Sequence, residues 1–334
     1  SDTRPFRALP PYGILRHELV LTPNTPGAGR RAMLQEAHSV SDTNLSSFIW
    51  SIAELLRNDY KQSEYGKVIL PFTLLRRLDQ ILEPTKDAVL ETAGQEIPEA
   101  MREHLLTQAA GSMVYNTSRF TFDKLLGDAD HLQSNLLDYL NGFSPAARDI
   151  FEKYDFHNQI ARLDAANLLF LVLQRFAEVD LSPERVSNAD MGTVFEELIR
   201  RFAELSNETA GHHFTPREVI RLMVHLLFHD DDLVLRGEGT VRTLYDPCAG
   251  TGGMLSIADE YIADHNPDAQ LALFGQEVNA ESYAICMADM LITGHEIDNI
   301  VFGNTLSNPG HREKRFDYML ANPPFGVDWG KVEK

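Results

Sequence analysis

The sequence predicts an α/β protein in which a helical N-terminal domain precedes a parallel sheet with helices on its faces. Three observations carry this. Up to residue 205 apolar residues recur mostly at helical spacing, with few alternating strand patterns. From residue 241 short β-prone runs alternate with helical ones. The first of those runs ends in a glycine-rich turn, Asp246-Pro-Cys-Ala-Gly-Thr-Gly-Gly.

Taken in order, residues 1–40 read as a disordered leader or extension, because 1–31 are rich in Arg, Pro and Gly and show no amphipathic period. The helical domain, 41–180, opens with a helix over 44–60. Phe48, Ile49, Ile52, Leu55 and Leu56 recur there at helical spacing, and Asn44 or Ser46 can cap the start. Val68, Ile69, Phe72, Leu75, Leu78 and Leu82 form one stripe, which predicts a helix over 67–83 with Pro71 near its beginning. Further helical patterns cover 98–110, 131–140, 145–152, 157–178 and 190–205. The second domain, 181–334, carries strands at 241–245, 269–278, 299–302 and 316–321, with helices at 253–265 and 280–293. Strand and helix alternating at this spacing make a parallel sheet.

A chain of 334 residues can bury a sizeable core. Its acids outnumber its bases 49 to 30, a net charge of −19, so it does not hold nucleic acid alone through a broad basic face. Two cysteines, Cys248 and Cys286, cannot build a disulfide framework or an all-cysteine zinc site, and a reducing cytoplasm is the expected location. No apolar run reaches the roughly 18 residues of a transmembrane helix and no secretory signal is visible, so no membrane partner is expected.

Asp246 ends a strand, and Gly250, Gly252 and Gly253 bracket the next helix start. Glycine lets the backbone turn sharply and approach a ligand, and ligands of open α/β sheets bind at the carboxyl ends of the strands. No Lys follows these glycines as a P-loop requires, and Gly-Thr-Gly-Gly lacks the spacing of a dinucleotide fingerprint. Asp246 can pair with an ammonium group, which suits a ligand with an amino acid moiety. Glu277 closes the next strand, where a carboxylate can accept hydrogen bonds from both ribose hydroxyls. Gly303-Asn304 closes the third, where a side-chain amide can meet an adenine ring.

The fourth strand feeds Asn322-Pro323-Pro324-Phe325-Gly326. Two prolines remove two backbone donors and leave nearby carbonyls available to accept. The Asn322 amide oxygen is a further acceptor, and Phe325 offers a flat face for a base. Two acceptors converging on one exocyclic NH2 suit methylation of that nitrogen. Its lone pair is delocalised into the ring, and the two hydrogen bonds favour a tetrahedral nitrogen. Other residues read as structural. His225 and His229 lack the Glu of a zinc protease motif, Asp230-Asp231-Asp232 reads as a solvated turn, and Cys248 lies inside the glycine loop. No metal site is expected.

On these residues the chain resembles the modification (M) subunits of type I restriction–modification systems, adenine-N6 DNA methyltransferases that use S-adenosylmethionine. FIWSIAELLRNDYKQSEYGKVILPFTLLRRLDQIL resembles their helical domain. GHHFTPREVIRLMV, DPCAGTGGML, GQEVN and NPPFG then follow in family order. The resemblance implies a class I S-adenosylmethionine-dependent (Rossmann-like) methyltransferase sheet. That sheet is expected to be incomplete here, because three more strands and the family's C-terminal helices would follow residue 334, and the chain is read as C-terminally truncated.

The resemblance also implies roles. His212, His213, Phe214, Thr215, Pro216 and Arg217 would line the cofactor pocket. Asp246, Gly250, Thr251, Gly252 and Gly253 would cradle the cofactor, Glu277 would bind its ribose and Asn304 its adenine. Asn322, Pro323, Pro324 and Phe325 would hold the flipped target base. His212-His213 stand where the family usually has Gln and an aromatic residue, and Asn304 where Asp is common. Implied partners are duplex DNA with an adenine target, a specificity subunit, a second modification subunit and a restriction (nuclease) subunit. The implied mechanism is direct displacement at the sulfonium methyl, without covalent intermediate or metal. Two alternatives stand beside it: a protein glutamine-N5 methyltransferase, since those enzymes also carry Asn-Pro-Pro, and a chain that binds cofactor or partner without activity.

Overall fold

In a computed structural model, the structure describes residues 48, 50–205 and 215–324. All of them lie in one compact unit that begins at Leu45. The expected leader at 1–40, the candidate caps Asn44 and Ser46, and Ile49 fall outside the described residues.

After a helical stretch at 50–56 come α1 (Gly66–Leu82), α2 (Lys86–Ala93), α3 (Glu99–Ala110), α4 (Phe122–Leu126), α5 (Leu132–Asn141) and α6 (Pro145–Lys153). Helices α7 (Phe156–Ala165), α8 (Leu169–Ala177) and α9 (Asn188–Leu205) complete this part. The apolar stripe of α1 explains its place as the central helix. Val68, Ile69, Phe72, Leu75 and Leu78 are buried, and Phe72 meets Phe156 edge-on at 4.9 Å and stacks on Phe176 at 5.3 Å. Arg77, also fully buried, donates to the carbonyls of Leu181 and Val186 and to Asn188 Oδ1, which ties the start of α9 to α1.

The single helix expected over 157–178 is two. Asn167 takes a left-handed φ of 55°, and the Leu168 N–H turns back to the Leu163 carbonyl at 2.8 Å. This is a C-terminal cap of the kind Asn tolerates, and local turn chemistry here overrides a continuous apolar period.

Helices α10 (Arg217–Phe228) and α11 (Asp232–Arg236) lead into the sheet. The strands are β1 (Val241–Asp246), β2 (Gln270–Glu277), β3 (Ile300–Phe302) and β4 (Tyr318–Met319), in the order β3-β2-β1-β4 with every pair parallel. Helix α12 (Gly253–His265) follows β1 and α13 (Ala280–Thr293) follows β2. Strand β4 is shorter than the expected 316–321. At its start the Asp317 carboxylate accepts from the Thr243 N–H and hydroxyl, both at 2.9 Å, in place of a backbone partner. At its end Pro323 and Pro324 have no N–H to offer.

Helix α13 is buried along most of its length, between the sheet on one side and α6 and α9 on the other. The helical part and the sheet therefore share one apolar core. On the sheet Tyr245, Phe274, His311 and Phe316 form an aromatic cluster with ring centroids 4.6–5.9 Å apart. Among the described residues no helix is long and apolar enough to cross a membrane.

The cap at Asn167 is testable. Asn167→Ala is expected to lower stability by about 1 kcal/mol, the cost of a Cβ-bearing residue without a local polar side chain in that conformation, while Asn167→Gly stays close to wild type. Urea unfolding midpoints measure both.

Candidate active site

The site is built by adjacency of strand ends. Strands β1 and β4 run parallel in the register Leu244↔Tyr318 and Tyr245↔Met319, and the Leu320 N–H donates to the Tyr245 carbonyl at 3.1 Å. Both chains then leave the sheet at the same edge. One becomes the glycine turn at 246–253, the other the Asn322-Pro323-Pro324 turn. The two turns touch: Cys248 is hydrogen-bonded to the Asn322 backbone. The segment before α10 joins them, with Asn322 Nδ2 donating to Thr215 Oγ1 at 3.0 Å.

The glycine turn is held by its own backbone. The Ala249 N–H donates to the Gln276 carbonyl at 3.0 Å and the Gly252 N–H to the Ala249 carbonyl at 2.8 Å. Gly252 stands at φ 90°, and a Cβ there would lie 3.0 Å from Cys286 Sγ. Another residue would be strained there and would press on the buried Cys286 of α13. Thr251 is half-buried at the tip of the turn.

Asp246 is 1% exposed. Its Oδ1 accepts from the Cys248 N–H at 3.0 Å, yet burial, together with the charge of Glu277, pushes its carboxyl up to about 7. Glu277 bridges two strand ends: Oε2 accepts from the Gly250 N–H at 2.8 Å, and Oε1 from the Val278 and Asn279 N–H groups at 2.8 and 2.7 Å. Beside it, the Gly303 N–H donates to the Glu277 carbonyl at 2.8 Å. Asn304 Oδ1 accepts from the Leu306 and Ser307 N–H groups at 2.9 and 3.2 Å, so its oxygen is engaged by its own turn. The Thr305 hydroxyl donates to the Pro247 carbonyl and so ties the third loop to the glycine turn. Nothing in the sequence pattern marked Thr305, because a lone hydroxyl after a strand carries no motif.

The structure thus brings Thr215, Asp246, Gly250, Gly252, Glu277, Asn304 and Asn322 to one edge of the sheet. Pro216 caps α10, its carbonyl accepting from Val219 and Ile220, and a Cβ on Gly253 would touch Ile220. Arg217 has a different place from the pocket lining expected of it. Its guanidinium is engaged by Glu196 of α9 and, at 2.5 Å, by Glu260 of α12. It anchors the segment to the scaffold. Pro323 is exposed and Pro324 half-buried. His212, His213, Phe214 and Phe325 lie outside the described residues. Burial and the neighbouring Asp246 push the Cys248 thiol up to about 12, so at neutral pH it is a thiol and not a nucleophile. Among the described residues no group of three or more His, Cys, Asp or Glu is placed to hold a metal ion.

Comparison with known proteins gives this geometry a family. Residues 186–334 match the N-6 DNA Methylase family and residues 45–176 the HsdM N-terminal domain. The type I restriction enzyme EcoEI methylase subunit of Escherichia coli is 26% identical over 85% of this chain and 56% of its own length. The MjaIX methylase subunit of Methanocaldococcus jannaschii is 22% identical over 83% of this chain and 50% of its own. The chain thus spans about half the length of these curated relatives. In fold, it resembles the solved type I restriction-modification methyltransferase subunit from Streptococcus thermophilus, with a TM-score of 0.65 at 23% identity over 86% of this chain and 64% of that one. The chain thus carries an HsdM N-terminal domain followed by an N-6 DNA Methylase domain, and over most of its length it is similar to methylase subunits of type I restriction enzymes.

Proposed function

We propose that this chain methylates the exocyclic N6 of adenine in duplex DNA, with S-adenosylmethionine as methyl donor, as a subunit of a type I restriction–modification assembly. The observation that carries the reading is the β1–β4 pairing, which sets an acid-and-glycine cradle beside an amide-and-proline turn at one sheet edge.

The cradle fits the cofactor by three features: a backbone that excludes a Cβ at Gly252, a buried carboxyl at Asp246 for an ammonium group, and a strand-end carboxylate at Glu277 for ribose hydroxyls. Glu277 already accepts three N–H bonds, and its two oxygens have capacity for further donors. When bound, S-adenosylmethionine supplies an electrophilic methyl group. The protein's part is to position and polarise. Asp246 and Gly250 to Gly253 hold the amino acid end. The Asn322 amide oxygen, with a carbonyl of the proline turn, accepts from the target amine and favours a nitrogen whose lone pair is released from the ring. Phe325 would stack on the base, and His212, His213 and Phe214 would complete the methionine end.

The base must leave the duplex to reach this edge, at a cost of a few kcal/mol. With a net charge of −19 the chain is poorly suited to supply that energy through phosphate contacts. A specificity subunit, a second modification subunit and, in the full assembly, a nuclease subunit provide the remaining DNA-binding surface. Transfer of labelled methyl from S-adenosylmethionine to an adenine-containing duplex, read against a protein glutamine acceptor, tests the assignment. Label on the protein acceptor alone, or on neither, overturns it.

Asn322→Ala is expected to slow methyl transfer by about 100-fold or more, the usual effect of losing one transition-state hydrogen-bond partner, with cofactor affinity by calorimetry changed less than threefold. Asp246 gives a pH dependence of known sign. Its folded value, about 7, lies above the ordinary carboxyl value. The stability this contributes is full below the ordinary value and lost as pH rises through 7. An ammonium ligand needs the ionised form, so cofactor affinity rises with pH and levels off above 7. Asp246→Asn is expected to flatten both profiles, read by urea unfolding and calorimetry across pH 5–8.

A further inference from the structure

The loop after β3 is held in place by one buried side chain. Gln276, the residue before Glu277, is fully buried. Its Nε2 donates to the Asn308 carbonyl at 2.9 Å, and its Oε1 accepts from the Gly310 N–H at 3.0 Å. A backbone carbonyl only accepts and a backbone N–H only donates, so the partners fix both edges of this carboxamide. The loop comes this close because Gly310 has no side chain: a Cβ there would stand 2.5 Å from Val301 Cγ1 of β3.

Gln276 also reaches the glycine turn, through its backbone carbonyl, which accepts from the Ala249 N–H at 3.0 Å. The loop returns to that turn through the Thr305 hydroxyl, which donates to the Pro247 carbonyl and is hydrogen-bonded to the Tyr245 hydroxyl. Strand end, loop and turn thus close into one ring of hydrogen bonds. Glu277, the proposed ribose acceptor, is next in sequence to Gln276, and Asn304, the proposed adenine contact, is next to Thr305. The ring fixes the spacing between them.

We propose that Gln276 is a positioning residue for the cofactor: its carboxamide fixes the loop carrying Asn304 against the strand end carrying Glu277, and so sets the preference of the nucleoside end for adenine. The inference rests on the S-adenosylmethionine reading and deepens it. Without the two side-chain bonds the loop would lose its register with the ribose acceptor, and the edge of the base would be read less strictly. The amino acid end, held by Asp246 and the glycines, would be affected least.

The test reads selectivity as well as strength. S-adenosylhomocysteine and S-inosylhomocysteine differ only in the base, where hypoxanthine carries a carbonyl oxygen in place of the adenine amine and a proton on the neighbouring ring nitrogen. The ratio of their calorimetric Kd values is measured in the full chain for wild type, Gln276→Met and Thr305→Val. Gln276→Met removes both carboxamide bonds at similar volume. Thr305→Val opens the ring on its other side, at a half-buried position. Wild type is expected to prefer the adenine ligand by about tenfold or more, and each variant to lower that preference by about fivefold or more, the effect of one or two lost hydrogen bonds. The loss is expected to fall mainly on the adenine ligand. Urea unfolding shows which variants are folded, and should Gln276→Met fail to fold, Thr305→Val decides alone.

A wild type that does not distinguish the two bases, or folded variants that keep its ratio, overturn the inference and leave methyl transfer standing. Equal weakening of both ligands overturns it in favour of a purely structural ring. A wild type that binds neither ligand overturns the cofactor reading, and the inference with it.

Discussion

Everything at the functional edge depends on the pairing of β1 with β4. The ladder is short, Leu244 and Tyr245 against Tyr318 and Met319. It is extended at one end by Asp317 on Thr243 and at the other by Leu320 on the Tyr245 carbonyl. Parallel strands release their loops at the same edge, whereas antiparallel pairing would send the two turns to opposite ends. A two-residue ladder thus determines that the buried acid and the amide-proline turn share one space. The aromatic stack of Tyr245 on Phe316 braces the same pair from the side.

The second requirement is that the cradle keep its shape without a ligand, and backbone groups do this. Gln276 receives the Ala249 N–H, and Glu277 receives the Gly250 N–H. Consecutive residues at the end of β2 thus hold consecutive residues of the glycine turn. The charge is arranged differently. Asp246 lies in a dry position where burial favours its protonated form, and it lacks any compensating cation among the described residues. On the proposed reading, a positively charged ligand group would draw this acid into its ionised form and would meet a backbone that is already fixed.

Most of the sheet was legible in the sequence because short β-prone runs, glycines and helical stripes alternate from residue 241 onward, and periodicity records burial directly. Strand β4 was the exception in length, since its boundary is set by the Asp317 side chain rather than by β-propensity. The division of 157–178 at Asn167 was invisible because the apolar period continues across it. At the site, Asp246, Gly252 and Glu277 were legible because a backbone constraint or a strand-end acid leaves a residue-type signature. Arg217 could be read for position but not for direction. Only the fold reveals that Glu196, 21 residues earlier, and Glu260, 43 later, converge on it. Thr305 and the Thr215–Asn322 bond depend on distances between segments far apart in the chain, which spacing alone does not encode.

Helix α13 has a consequence beyond packing. Its outer face meets α6, where Asp149 is hydrogen-bonded to Tyr283 and the Lys153 ammonium lies 4.0 Å from the Phe302 ring centre at the tip of β3. Tyr283 and Phe302 are themselves in ring contact at 5.3 Å. Phe302 pairs with Glu277 in the sheet. Side-chain contacts therefore run from α6 of the helical part to the strand end that carries that carboxylate. A substitution at Asp149 or Lys153 is thus only two ring contacts away from the strand end that carries Glu277.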